Sequence, residues 1–458
     1  MRKTTMTTNK TEDIFTRGVG DFIDPGGLFR KKIENDPKNI VIKFGVDPTR
    51  PDLHLGHAVI LMKLRQFQDL GCKIVFLIGD ITAMIGDPTG KSKIRPEVNT
   101  EEITKNMKTY LDQVVKILRI EEDVFSWTTN SDWFVSINDI IAPKRHIDIS
   151  IKNKTHKTDE LDGNDILNKA QWWTETRKQK NKIKNYTLIT LLSILRNISH
   201  GRLVERDMFQ NRIKKGEPIF MHEMLYPVIQ GIDSDAIFDI YGSCDLEVGG
   251  TDQHFNMLMG REVMEMNKKT PQAVLSFKLL EGTDGKEKMS KSLDNYIGIT
   301  EEAENMYGKV MSIPDSSLCS YFELCTFTPL EEIKEIKNII SKGKVNPKEI
   351  KMNLARQIVS IYHGEKKAEE AEKNWENVFS KNEIPTNIEE FFVGEESLLV
   401  DILLDKKIIS SKSEFRRLVE EGAITNLKTN KKTSSFSDHA KEGVYRIGKK
   451  RFCKIIIK

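Results

Sequence analysis

Two histidines flanking one glycine at the start of a helix set the tightest constraint on this chain. Residues Asp47 to His57 read Asp-Pro-Thr-Arg-Pro-Asp-Leu-His-Leu-Gly-His and follow an apolar run, Ile40-Val-Ile-Lys-Phe44. Gly45, Pro48 and Pro51 stop the run, and Val59, Ile60, Met62, Leu64, Phe67 and Leu70 then recur at helical spacing up to Gly71. The stretch therefore reads as strand, tight loop and helix start. Free backbone N–H groups and the positive end of the helix dipole favour an anion there. Gly56, between His54 and His57, lets a flat ligand come close to the backbone, so a nucleotide triphosphate suits the site. A second apolar strand, Lys73-Ile-Val-Phe-Leu-Ile78, completes a βαβ unit and calls for a parallel sheet in an α/β fold.

Two common nucleotide folds are excluded. Gly86-Asp-Pro-Thr-Gly-Lys-Ser92 resembles a phosphate loop, but three residues separate Gly86 from the Gly-Lys-Ser run where a P-loop has four. No Gly-x-Gly-x-x-Gly opens the first helix, which removes the dinucleotide fingerprint. The length, 458 residues, calls for two or three domains, and 38% apolar residues is too many for disorder. No apolar run is long enough for a membrane span, and Met1 to Lys10 has no signal-peptide pattern. Cys72, Cys244, Cys319, Cys325 and Cys453 form no Cys-x-x-Cys pair, which fits reduced thiols in a cytoplasmic protein. The formal net charge is only +3, yet residues 401–458 hold 15 Lys and Arg against 7 Asp and Glu. One end is basic, as expected for an anionic partner such as nucleic acid, or for a solvated lysine-rich surface.

The remaining chain reads in segments. Residues 1–37 are expected to be a tail and connector, and 38–300 a nucleotide-binding domain with an inserted, Lys- and Asn-rich segment at 135–186. The insertion carries alternating Ile147, Ile149 and Ile151, suited to a short edge strand, and Trp172-Trp173. Thr100 to Ile120 reads as an amphipathic helix with Asn99 as its cap. Tyr226, Gln230 and Asp233 share one helix face, and Leu246-Glu-Val-Gly-Gly-Thr-Asp-Gln253 reads as a strand, a glycine turn and a helix start. Lys-Glu-Lys-Met-Ser-Lys-Ser292 follows the turn at Asp284-Gly285. A helical domain is expected over 301–383, a linker over 384–396, and a small basic α+β module over 397–458, with Ser411 to Glu414 as a capping box and Gly422 as a C-cap.

His54-Leu-Gly-His57 together with Lys288-Met-Ser-Lys-Ser292 resembles the signature pair of the class I aminoacyl-tRNA synthetases. Within that class the chain resembles the tyrosyl-tRNA synthetase family, in its bacterial type, through Phe44-Gly-Val-Asp-Pro-Thr, Gly86-Asp87, Tyr226-x-x-x-Gln230-x-x-Asp233 and Gly249-Gly-Thr-Asp-Gln253. The likeness runs from about Ile40 to the C-terminus. It implies a class I nucleotide-binding parallel sheet, a helical domain that binds the anticodon and a small C-terminal RNA-binding domain of ribosomal-protein type. It implies as substrates L-tyrosine, ATP with Mg2+, and tRNA(Tyr), and as assembly a homodimer with no membrane association; no protein-held metal is expected. His54, His57, Thr49, Lys288 and Lys291 would serve the ATP phosphates, with Gly56, Gly250, Asp252, Met289, Lys291 and Ser292 around the nucleotide. Tyr226, Gln230 and Asp87 would hold the substrate ammonium and Asp233 the phenol, with Gly45, Asp47 and Gln253 completing the pocket. Lys412, Arg416 and Arg417 would face RNA phosphate.

Two features depart from that family. Many members carry a tyrosine where this chain has Lys43, so a second partner of the substrate hydroxyl is lost, and a lysine there either points away or pairs with Asp233. The insertion has no counterpart in relatives, where the connecting segment lies near the subunit interface and the tRNA acceptor end. Its basic surplus over 143–186, 11 Lys and Arg against 6 acids, points to RNA or a partner subunit, against the plainer reading of a solvated elaboration. The alternatives are a tryptophanyl-tRNA synthetase, which has less use for Asp233, a small adenylyltransferase, which lacks the long C-terminal parts, and a non-catalytic RNA-binding protein, which leaves the histidine and lysine motifs unexplained.

Overall fold

A computed structural model describes residues 14–88, 100–134, 188–342, 346–380, 389–394, 396–406, 408–429, 431–448 and 451–457. The expectations for the stretch 1–10, the run 90–92, the insertion at 135–186 and the linker start at 384–388 lie outside the described residues. The chain divides into two compact units, 1–368 and 369–458.

The larger unit is built on a six-stranded sheet. Its strands are β1 (Val19–Ile23), β2 (Val41–Val46), β3 (Lys73–Ile78), β4 (Phe125–Thr129), β5 (Leu246–Gly250) and β6 (Ala273–Phe277), in the order β1-β6-β5-β2-β3-β4. The last five are mutually parallel. Ile42, Phe44, Ile74, Phe76, Leu246 and Val274 are all buried, because helices cover both faces and leave no alternation of polar and apolar positions. The helices Met221–Tyr241 and His254–Met266 share one core with Val75, Leu77 and Trp133. The helix Leu55–Asp69 follows β2, as its apolar spacing requires.

Three segments differ from expectation. Residues 14–37 hold the short helix Leu28–Asn35 that suits a helix and connector, and also an unexpected strand, since β1 pairs antiparallel with β6 as the sheet's edge. A register shift between Val19 and Asp21 breaks the two-residue period that would have revealed it. Residues 390–393, expected within the linker, form β7 (Glu390–Val393), parallel to β11 (Arg451–Ile457) in the smaller unit. Four residues with a single buried side chain, Phe391, are too few to show a pattern. The helix from Thr100 ends at Val114, short of Ile120.

The helical region after residue 300 divides at 368 rather than standing apart as 301–383. Buried Arg17 is one reason. Its guanidinium donates to the carbonyls of Glu323 (2.8 Å), Thr328 (2.6 Å), Phe322 (2.8 Å) and Thr326 (2.7 Å), closing the end of the Leu318–Cys325 helix onto the start of the chain. Tyr321 adds a bond from its hydroxyl to the Glu281 carbonyl at 2.8 Å.

The smaller unit holds a five-stranded sheet in the order β7-β11-β10-β8-β9, where β8 is Ile424–Asn426, β9 Lys431–Lys432 and β10 Gly443–Ile447. The helix Lys412–Glu420 starts at Ser411, whose Oγ accepts the Glu414 N–H at 3.1 Å, while the Glu414 carboxylate turns back to Ser410 at 2.7 Å. Phe415 and Leu418 are buried; Lys412, Arg416 and Arg417 are exposed.

Replacing Arg17 with Ala strands four carbonyls and is expected to lower unfolding stability by about 3 kcal/mol. A urea titration reads this as a lower midpoint with an unchanged slope; an unaltered midpoint contradicts the role given to Arg17.

Candidate active site

The strand order reverses between β2, which is followed by its neighbour β3, and β5, whose successor β6 lies on the other side. Parallel sheets bind ligands at such a reversal, outside the carboxyl ends of the strands. A cavity of about 530 Å³ opens there, lined by Gly45, Asp47, Thr49, His54, Gly56, His57, Asp87, Tyr226, Gln230, Asp233, Gly250, Asp252, Gln253, Lys288, Met289 and Lys291. Nearly every residue expected from the sequence thus meets in one space. The Ser292 side chain lies outside the described set.

One rim is the helix start. His57 Nδ1 accepts the backbone N–H of His54 at 3.3 Å, which leaves the His57 proton on Nε2 as a donor. Burial, then His54 and Lys291, hold His57 well below its usual pKa, and burial, then Lys291 and Lys288, lower His54 to about 3. Both imidazoles are neutral at neutral pH. His54 Nδ1 is buried and, among the described residues, meets no hydrogen-bond partner. A Cβ on Gly56 would stand 3.0 Å from the His54 ring, so glycine keeps the approach open.

Beside this helix start runs the lysine loop, whose Met289 would lie 3.9 Å from a Cβ on Gly56 and which is pinned by a bridge between Glu281 and Lys288. Lys288 pairs with Asp252 at 2.6 Å. Lys291 donates to the Arg50 carbonyl and the Tyr110 hydroxyl, both at 3.2 Å, and sits 5.1 Å above the Tyr110 ring. Burial lowers Lys291 to about 8 against the opposing pull of Asp52. A Cβ on Gly250 would meet Asp252 at 2.6 Å and Leu279 at 2.7 Å.

The deep end is a polar pocket. Asp47 accepts from Tyr226 (2.8 Å) and Thr82 (2.7 Å), and Asp87 accepts from Gln253 Nε2 (2.6 Å). Asp233 is buried and accepts the Trp133 indole N–H at 3.0 Å. Burial pushes its carboxyl up to about 8, against the charge of Lys43 and the bond from Trp133. A carboxyl in that range both donates and accepts.

Lys43 does not pair with Asp233. Its ammonium donates to Glu247 Oε1, the Gln230 carbonyl and Ser234 Oγ, each at 2.9 Å. Glu247, Trp133, Thr82 and Tyr110 were not among the expected site residues. A sequence signal existed for Glu247: one Glu inside an otherwise apolar strand, answering one Lys inside another. In the smaller unit Lys412 pairs with Asp401 at 3.2 Å, Arg417 lies 3.9 Å from Glu421, and Arg416 stacks 5.0 Å from the Phe436 ring.

The raised Asp233 pKa has a defined sign in stability. Between the ordinary value of 3.8 and about 8 the folded protein binds the extra proton, so this contribution is full at low pH and lost as pH rises through about 8. Asp233→Asn removes the titration while keeping an acceptor for Trp133. Its stability relative to the parent is expected to climb between pH 5 and 9 in thermal unfolding; parallel pH curves contradict this.

Residues 35–380 match the family of tRNA synthetases class I (W and Y). A tyrosine–tRNA ligase of Desulfotalea psychrophila is 39% identical over 97% of this chain and 97% of its own. Tyrosine–tRNA ligase 2 of Clostridium acetobutylicum is 40% identical over 97% and 98%. Among solved structures, a C-terminally truncated mitochondrial tyrosyl-tRNA synthetase of Aspergillus nidulans superposes with a TM-score of 0.55 at 21% identity, over 81% of this chain and 94% of its own, which supports the fold. With both histidines, both lysines and the polar pocket in one cavity, and with near full-length relatives of one kind, the chain belongs to the tyrosyl-tRNA synthetase family of the class I tRNA synthetases.

Proposed function

We infer that this chain activates L-tyrosine with ATP to tyrosyl-adenylate and pyrophosphate, then transfers the tyrosyl group to tRNA(Tyr). The observation that carries the reading is the gathering of His54, His57, Lys288 and Lys291 in one cavity that Asp47, Tyr226, Gln230 and Asp233 also line. In the first step a tyrosine carboxylate oxygen bonds to the α-phosphorus of ATP as the bond to pyrophosphate breaks. The protein's task is to hold two anions in line and to stabilise charge on the leaving group.

Neutral His54 and His57 donate N–H bonds to phosphate oxygens without adding a charge that must be buried, and Thr49 reaches the far phosphate. Lys288 and Lys291 leave Asp252, Tyr110 and the Arg50 carbonyl to meet charge growing on pyrophosphate, a gain realised in the transition state. Gly56, Gly250, Asp252, Met289, Lys291 and Ser292 surround the nucleotide. Magnesium arrives on the ATP phosphates. Tyr226, Gln230 and Asp87 take the tyrosine ammonium, with Gly45, Asp47 and Gln253 around it, and Asp233 takes the phenol. Phenylalanine would bring no hydroxyl to that buried carboxyl. A site built to bond a hydroxyl rejects the analogue lacking it far more strongly than an apolar pocket rejects a missing methylene, a rule for which this same family is the standard example.

A terminal ribose hydroxyl of tRNA then attacks the carbonyl carbon and AMP departs. The exposed Lys412, Arg416 and Arg417 support RNA contact by the smaller unit. Leu188, Ile189, Leu192, Phe220 and Met221 are exposed apolar side chains, and a homodimer that covers such residues is part of the same reading. No helix among the described residues is long and apolar enough to cross a membrane, and a cytoplasmic location is part of the same reading.

Pyrophosphate exchange into ATP is expected with tyrosine alone among the amino acids; exchange with tryptophan, or with none, overturns the reading. Lys291→Ala is expected to lower the exchange kcat about 100-fold while tyrosine KM stays near parental. Arg416→Ala with Arg417→Ala is expected to flatten the slope of log affinity for tRNA against log salt by about 2, and an unchanged slope contradicts their phosphate role.

A further inference from the structure

The tyrosine pocket rests on a charged pair that the proposed chemistry leaves unused. Lys43 and Glu247 are register partners on adjacent strands β2 and β5, with side chains 1% and 2% exposed. An apolar pair of similar size would hold two strands at least as well, since both charges must leave water. Stability therefore does not account for them.

Their bonds are complete. The three ammonium protons of Lys43 go to Glu247, the Gln230 backbone carbonyl and Ser234 Oγ, so none is left for a substrate hydroxyl. Glu247 Oε1 takes Lys43 (2.9 Å) and Gln230 Nε2 (3.0 Å), while Oε2 takes Ser234 Oγ (3.0 Å) and Gln272 Nε2 (2.9 Å). The consequence falls on Gln230, which lines the cavity. An ionised carboxylate only accepts, so Gln230 has to give it the NH2 end of its amide, and the carbonyl oxygen is the end that remains.

We propose that the Lys43–Glu247 pair is a positioning element for amino-acid recognition: it fixes the Gln230 amide so that its carbonyl oxygen accepts the α-ammonium of tyrosine. Lys43, Gln230, Ser234 and Gln272 all donate to Glu247, so both of its oxygens serve as acceptors. A neutral side chain at 247 lets the amide turn and set N–H groups against the ammonium. Lys43 acts through Glu247 and Gln230 and touches no substrate. The inference rests on the tyrosine site proposed above.

Removing both charges together, as Lys43→Met with Glu247→Gln, avoids an unpaired buried ion. In pyrophosphate exchange this double variant is expected to raise tyrosine KM about tenfold, with kcat within about threefold of parental and ATP KM unchanged. Gln230→Ala is expected to raise tyrosine KM similarly, and the triple variant to be no worse than Gln230→Ala alone, because the pair works through that amide. A parental tyrosine KM in the double variant, with or without a lower unfolding temperature, overturns the positioning role. So do effects that multiply in the triple variant. A parental tyrosine KM in Gln230→Ala overturns the placement of the ammonium, and the positioning role with it.

Discussion

The carboxyl ends of β2 and β5 send the chain to opposite sides of the sheet, and the crevice this leaves is the constraint on which the larger unit depends. Because no connection crosses it, both loops are free to furnish a ligand site. The loop after β2 brings Asp47, Thr49 and the histidine helix; the end of β5 and the turn after it bring Gly250, Asp252 and Gln253; the segment after β6 brings the lysine loop. Sequence-distant groups meet because the topology makes one space common to all of them.

Charge within that space is arranged for anions. Burial first, and then the two lysines nearby, keep the imidazoles neutral, with His54 lowered to about 3. The lysines rest on Asp252, Tyr110 and the Arg50 carbonyl. Partly exposed contacts of this kind contribute little to stability. The deep polar end follows a different logic, in which Asp47, Asp87 and the buried Asp233 each accept a bond from a neighbouring side chain.

Much of this was legible in the order of residues. The β2–helix–β3 unit and the shared face of Tyr226, Gln230 and Asp233 follow from period and punctuation, which are local properties, whereas Gly249 and Gly250, expected as a turn, are the last residues of β5. The edge strand β1 escaped because a bulge hid its period, and β7 because four residues hold too little pattern. Trp133, Thr82 and Tyr110 escaped because their roles come from tertiary placement. Lys43 is the instructive residue: one strand shows an unexplained charge, and only the β2–β5 register reveals that Glu247 answers it.

The central claim is that this cavity joins tyrosine to AMP. Incubating the purified protein with ATP and one amino acid at a time, without tRNA, and analysing the protein-bound products by mass spectrometry tests it directly. The account predicts tyrosyl-adenylate near one equivalent per functional site and no adenylate from tryptophan or phenylalanine. An adenylate of another amino acid, or none with tyrosine, would contradict it.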